Sequence, residues 1–177
     1  MPAGRVVWNL RFRSFVLVSD FELWISDFPA IRWQDEIVRD IVVAFRPRGH
    51  LFGDARSMEP YRLDELKRWF DAYTGRFFGP DEYVNMHLRL KQEHTRRTCG
   101  EILYLAGRLA LDDNQKRIAE TVGLLHDAGR FPQFATYRTF NDMRSVSHGC
   151  LGVEVLRQEG VLEALEADER LWIEMAV

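Results

Sequence analysis

His126 and Asp127 stand side by side at the end of the apolar helical run 118–125, and Ala128-Gly129-Arg130 follow at once. An imidazole and a carboxylate at the buried end of a helix carry a desolvation cost unless a partner compensates it, and a divalent cation is one such partner. Adjacent helical residues point about 100° apart, but a backbone turn at the helix end lets both reach one ion. His94, in the preceding helical stretch 90–95, is a third candidate ligand. Imidazole and carboxylate together suit a borderline to hard divalent metal: Mn, Fe, Co, Ni, Zn or Mg. Lys91 precedes His94 by three residues, so the two share a helix face and an ammonium stands near that candidate ligand.

These residues need helices to carry them, and from residue 63 onward the period is helical. Leu63, Leu66, Phe70 and Tyr73 recur near the helical repeat, with Phe77 on the same side. Gly79-Pro80 stops that helix and starts the next, which is expected over about 81–109. Asp112 or Asp113 caps a third helix that ends at His126-Asp127, where Gly129 supplies a permissive break. Phe131-Pro132-Gln133-Phe134 reads as the start of a loop lasting to about Arg144. Ser145 or Ser147 caps a helix reaching Gln158, with Gly160 as its stop, and Asp168 opens the last helix. No convincing strand falls after residue 58. The expected fold class is therefore all-α: a helical bundle over 58–177, preceded by a segment of possible β or irregular structure over 1–57.

Three pieces of this region, in order, resemble the HD-domain superfamily of metal-dependent phosphohydrolases. Leu90-Lys91-Gln92-Glu93-His94-Thr95 is similar to the family's first-His helix. Gly123-Leu124-Leu125-His126-Asp127-Ala128-Gly129-Arg130-Phe131 is similar to its His-Asp turn, and Ser145-Val146-Ser147-His148-Gly149 to the helix start that follows. The resemblance runs from about residue 63 to residue 177 and is of the bacterial hydrolase type. It implies that His94, His126 and Asp127 bind a divalent metal, and that Asp127 also orients the attacking water. Lys91 and Arg130 would offset charge on phosphate oxygens, Arg130 through two oxygens at once. His148 would contact substrate or a second metal; its bland alternative is a helix-start His bonded to backbone or solvent. The implied activity is hydrolysis of a phosphate ester, with a small phosphorylated substrate, a nucleotide, as the class. The rival reading is a catalytically inactive HD-like scaffold or signalling module.

The family pattern also calls for a distant final Asp. The carboxylates beyond His148 are Glu154, Glu159, Glu163, Glu166, Asp168, Glu169 and Glu174, and none has the context of that motif. The expectation is an HD domain incomplete at its C-terminal end and poorly active by itself. Leu171, Trp172, Met175 and Val177 would then form an apolar face that favours self-association.

The remaining features are less informative. A chain of 177 residues with a net charge of −3 holds a domain with a real core and shows no broad basic field for a nucleic-acid polymer. Cys99 and Cys150 fit no metal spacing and no disulfide framework; Cys99, on an apolar helix, reads as a buried free thiol. No apolar run reaches the ~18 residues that span a bilayer. Asp20 and Glu22 interrupt the N-terminal apolar stretch, so no clean signal-peptide core is seen, and the expected location is cytoplasmic. Residues 5–13 alternate in a strand-like way. Two readings of 1–57 stay open: an accessory region, or residues upstream of a natural start at Met58. His50 receives no role. His87, four residues before Lys91, reads as structural, and the aromatics of 131–140 read as core anchors rather than a wall for a base.

Overall fold

The computed structural model describes residues 58–177; the alternating stretch at 5–13 and His50 lie outside them. Six α-helices follow in order: α1 Pro60–Gly75, α2 Glu82–Arg108, α3 Asp113–Leu125, α4 Arg130–Tyr137, α5 His148–Gln158 and α6 Ala167–Ala176. A single 3-10 turn, Asp142–Arg144, precedes α5. No strand occurs among the described residues, so the all-α expectation holds there.

Local chemistry sets most of the boundaries. Pro60 occupies the first turn of α1, where its missing N–H is no loss. Asp81 caps α2 by accepting from the Val84 N–H. Asp112 and Gln115 form a reciprocal capping box at the start of α3. Ser147, of the two serines considered, caps α5 by accepting from the Cys150 N–H. Beyond α5 the chain turns at Gly160, whose φ of +63° suits a residue without Cβ. The last helix begins one residue earlier than expected, with Asp168 inside its first turn.

One element overturns the sequence reading. The segment expected to begin a loop at Phe131 is helix α4. Pro132 lies in its first turn, where the backbone N–H groups have no intrahelical acceptor, so proline costs no hydrogen bond. Phe131 and Phe134, three residues apart, then fall on one buried face. Phe131 meets Phe70 edge-on at 5.8 Å and lies close to Tyr73 and Phe77. Phe131 and Phe134 are thus core anchors and Phe140 packs on the core, whereas Tyr137 is exposed.

Helices α1, α2 and α6 pack on α3, α4 packs on α2, and α5 on α4. The core between them includes Leu88, Ile118, Leu125, Phe131 and Ile173, each fully buried. Met58 belongs to it, its backbone N–H shared between Asn114 and Glu169. The C-terminal apolar residues do not form one exposed face: Leu171 and Met175 are exposed, but Trp172 is half-buried and Val177 packs on the core beside Gly152. Leu171 and Met175, four residues apart, share the side of the helix opposite buried Ile173, and Trp172 lies between the two sides. Cys99 is half-buried rather than buried, and burial raises its thiol to about 11, so it is unreactive near neutral pH. No helix of the described residues is long and apolar enough to cross a membrane.

Candidate metal centre

The C-terminal end of α3 builds the site. The His126 N–H still bonds the Val122 carbonyl, as in a helix, while Ala128 N–H reaches Leu125 O and Arg130 N–H reaches Asp127 O. The chain thus tightens as it leaves the helix, and the side chains of two consecutive residues meet. His126 Nδ1 lies 2.8 Å from the Gly123 carbonyl oxygen. A carbonyl only accepts, so Nδ1 carries hydrogen, and Nε2 is the nitrogen that would ligate a cation; without an ion it can donate to a carboxylate. That nitrogen lies 3.2 Å from Asp127 Oδ2.

Helix α2 supplies the other half. His94 Nε2 is 3.7 Å from the same carboxylate oxygen, and Lys91 Nζ is 2.8 Å from it. The His94 and His126 rings meet edge-on at 5.4 Å. One ligand atom from each of His94, His126 and Asp127 lies within 4.8 Å of the others. Donors on one ion at about 2.0–2.2 Å stand roughly 3 to 3.5 Å apart. Two imidazole nitrogens and one carboxylate oxygen, with one tautomer set by a backbone carbonyl, therefore fit a divalent cation with open coordination positions.

Asp127 is almost fully buried, and burial opposes its charge. The hydrogen bond and field of His126, joined by Lys91, outweigh that and hold the carboxyl well below the ordinary carboxylate range. Arg130 adds to the surround, with Nε 3.5 Å from Oδ1. The ammonium of Lys91 also faces the Phe140 ring, 5.3 Å from its centroid.

Beside this group lies a second polar cluster. Arg130 Nη1 donates to Asp142 Oδ1 at 2.6 Å, to Gln133 Oε1 at 2.9 Å and to the Phe140 carbonyl. Gln133 is fully buried, and its Nε2 donates to Asp142 Oδ1, Ser145 Oγ and the Val146 carbonyl. His148 Nδ1 is 2.7 Å from Asp142 Oδ2. Burial works against the Asp142 charge, but the hydrogen bonds from Gln133 and His148 and the field of Arg130 bring its carboxyl down to about 2.

The structure thus gathers His94, His126, Asp127 and Lys91 at one carboxylate oxygen. Arg130 stands between the two clusters. His148 is outside the three-residue group, held on Asp142. His87 stacks on Phe134 at 4.7 Å, the structural place read for it. Of the downstream carboxylates, Glu169 bonds Met58 N–H and Asn114, Glu159 pairs with Arg76 and Glu174 with Arg157. Among the described residues the candidate metal group has no fourth member. Sequence reasoning passed over Asp142 and Gln133. The one available signal was an acid six residues before His148, and nothing local distinguishes it from a loop aspartate.

A family model described as HD domain matches residues 92–175, a span that includes His94, His126, Asp127 and His148. No curated protein and no solved structure matches the chain.

Proposed function

Residues 92–175 form an HD domain, and from that premise we propose that the protein is a metal-dependent phosphohydrolase acting on a phosphate ester, with nucleotides as the substrate class. The observation that carries this reading is the convergence of His94, His126 and Asp127, with the Lys91 ammonium on the same carboxylate oxygen. Those three residues would hold a divalent ion; when bound, such an ion supplies hydroxide near neutral pH and polarises phosphoryl oxygens. Asp127 then has Oδ1 left to orient the attacking water. Lys91, which reaches the same carboxylate oxygen, would offset charge on a non-bridging phosphate oxygen. Arg130, 3.5 Å from Asp127 Oδ1, and His148, joined to it through Asp142, would contact the substrate phosphate in this reading.

One observation favours the rival scaffold reading: Lys91 already neutralises Asp127, so the carboxylate is compensated without an ion. The experiment that separates the two uses the protein purified without chelator. It is assayed with Mn, Co or Ni against a phosphomonoester, a phosphodiester and a nucleotide panel. Hydrolysis that chelator abolishes and metal restores supports the enzyme. No turnover by protein shown to carry metal sinks it and leaves the scaffold.

Lys91 yields a prediction of opposite signs. An ammonium 2.8 Å from Asp127 Oδ2 competes with a divalent cation for that oxygen. Like charges about 4 Å apart repel by ~4 kcal/mol at an effective dielectric near 20, most of which the flexible side chain escapes by swinging away. Lys91→Met should therefore tighten metal binding by about tenfold, while turnover falls by on the order of 10²-fold for want of the phosphate cation. Metal titration and steady-state kinetics on one preparation check both. Weaker metal binding in the variant would show that Lys91 organises the carboxylate instead of competing for it.

A further inference from the structure

The polar cluster beside the metal group is more fully bonded than a loop anchor requires. Asp142 uses both oxygens. Oδ1 accepts from Arg130 Nη1 and Gln133 Nε2, and Oδ2 accepts from His148 Nδ1 and, at 3.4 Å, from the His148 backbone N–H. Arg130 then extends to Asp127, its Nε buried without a hydrogen bond of its own and 3.5 Å from Oδ1. The His148 backbone is also tied to the turn: a Cβ on Gly129, two residues after Asp127, would lie 2.1 Å from the His148 carbonyl oxygen. We propose that Asp142 is a positioning residue that holds His148 with Nε2 as its acceptor nitrogen and ties it through Arg130 to Asp127.

The argument is one of donors and acceptors. An ionised carboxylate only accepts, so the 2.7 Å contact puts the hydrogen on Nδ1. Neutral His148 then has its lone pair on Nε2. In hydrolysis such a nitrogen takes the proton that water loses as its oxygen bonds phosphorus. The ester P–O bond breaks, and the leaving oxygen recovers that proton from the imidazolium. The Asp142 carboxylate stabilises the imidazolium while it lasts. Gln133 acts one step further back. It is fully buried and has no other acceptor role than to Arg130, so it fixes the face that Asp142 turns to the ring. The proton-transfer part rests on the phosphohydrolase reading; the tautomer part does not.

Asp142→Asn tests it with little change of shape. Arg130 cannot accept, and the Gln133 amide nitrogen cannot either. Both stay satisfied only if the Asn oxygen remains in the Oδ1 place. The new NH2 then faces His148 Nδ1, which must accept, so the hydrogen moves to Nε2. The same logic makes Asp-to-Asn exchange so costly in a Ser-His-Asp triad. Long-range 1H–15N spectra of the full chain at about pH 8 read the tautomer, with the His148 signals assigned by their loss in His148→Gln. The expected result is Nδ1–H in the wild type and Nε2–H in D142N. Kcat should fall on the order of 10²-fold or more, with KM within about twofold, because ground-state binding does not need the lone pair. A wild-type ring carrying hydrogen on Nε2 would overturn the proposal, and this spectrum needs no folded variant. Nδ1–H retained in D142N, or a changed tautomer with wild-type kcat, overturns it as well. Absence of turnover in the metal-loaded wild type would instead defeat the phosphohydrolase reading, and the spectra would still decide the tautomer.

Discussion

His126→Ala should raise the dissociation constant for Mn or Co by at least ~10²-fold, since even the outer partners of metal ligands cost about 10–100-fold when removed. Metal-supported turnover should fall to background with it. Three features make this residue the sharpest probe. Its Nε2 is aimed at Asp127 Oδ2 across 3.2 Å. Its tautomer is fixed by the Gly123 carbonyl, so no reorientation is needed to bind. Its side chain is almost fully buried, so no mobile neighbour can replace it. The change also leaves the Gly123 carbonyl without its partner in a closed environment, a loss of about 1–3 kcal/mol in stability. Metal content by elemental analysis and affinity by titration, on protein verified as folded, measure the effect. Metal binding equal to wild type would show that the ion sits elsewhere or not at all.

Gly129→Ala should destabilise the domain by about 3 kcal/mol or more, at or above the upper end of ordinary overpacking. The backbone at Gly129 has φ −68°, so conformation is no obstacle to alanine. Space is. A Cβ there would lie 2.1 Å from the His148 carbonyl oxygen, 2.6 Å from Gly152 N and 3.1 Å from Gly152 Cα. All three are main-chain atoms of α5, which move only if the helix moves. Gly152→Ala is the control. Its nearest neighbour is the Val177 Cγ1 atom at 3.0 Å, the end of a side chain that can turn away, so its cost should be clearly smaller. Denaturant unfolding of both variants gives the comparison. Equal stability of Gly129→Ala and wild type would mean that α5 does not press on the His-Asp turn, and His148 would lose its anchorage to the site.

Much of the helical scaffold was readable in the sequence because its signals are local. Helix α1 announces itself through Leu63, Leu66, Phe70 and Tyr73 at helical spacing, all of them buried. The caps of α2, α3 and α5 are Asp81, Asp112 and Ser147, side chains that accept from amides three residues on. The ligand pair was equally visible, since two adjacent polar residues after an apolar run need no knowledge of distant segments. Helix α4 was not. Pro132 marks loops and first helical turns alike, and what selects helix is the burial of Phe131 against Phe70, Tyr73 and Phe77 and of Phe134 against Tyr83, His87 and Phe140. Lys91 and His94 were placed on one face by spacing, but that their face meets Asp127, 36 residues on from Lys91, depends on how α2 crosses α3. Nothing local in the sequence set Asp142 and Gln133 apart. Their importance comes from donors and acceptors that three separate segments bring within hydrogen-bond reach. The sequence by itself determined where helices start, where they stop and which residue types stand ready to bind a cation. Tertiary packing alone decided which of those groups share one carboxylate, because contact between segments distant along the chain is set by the fit of buried faces, and no local period encodes that fit.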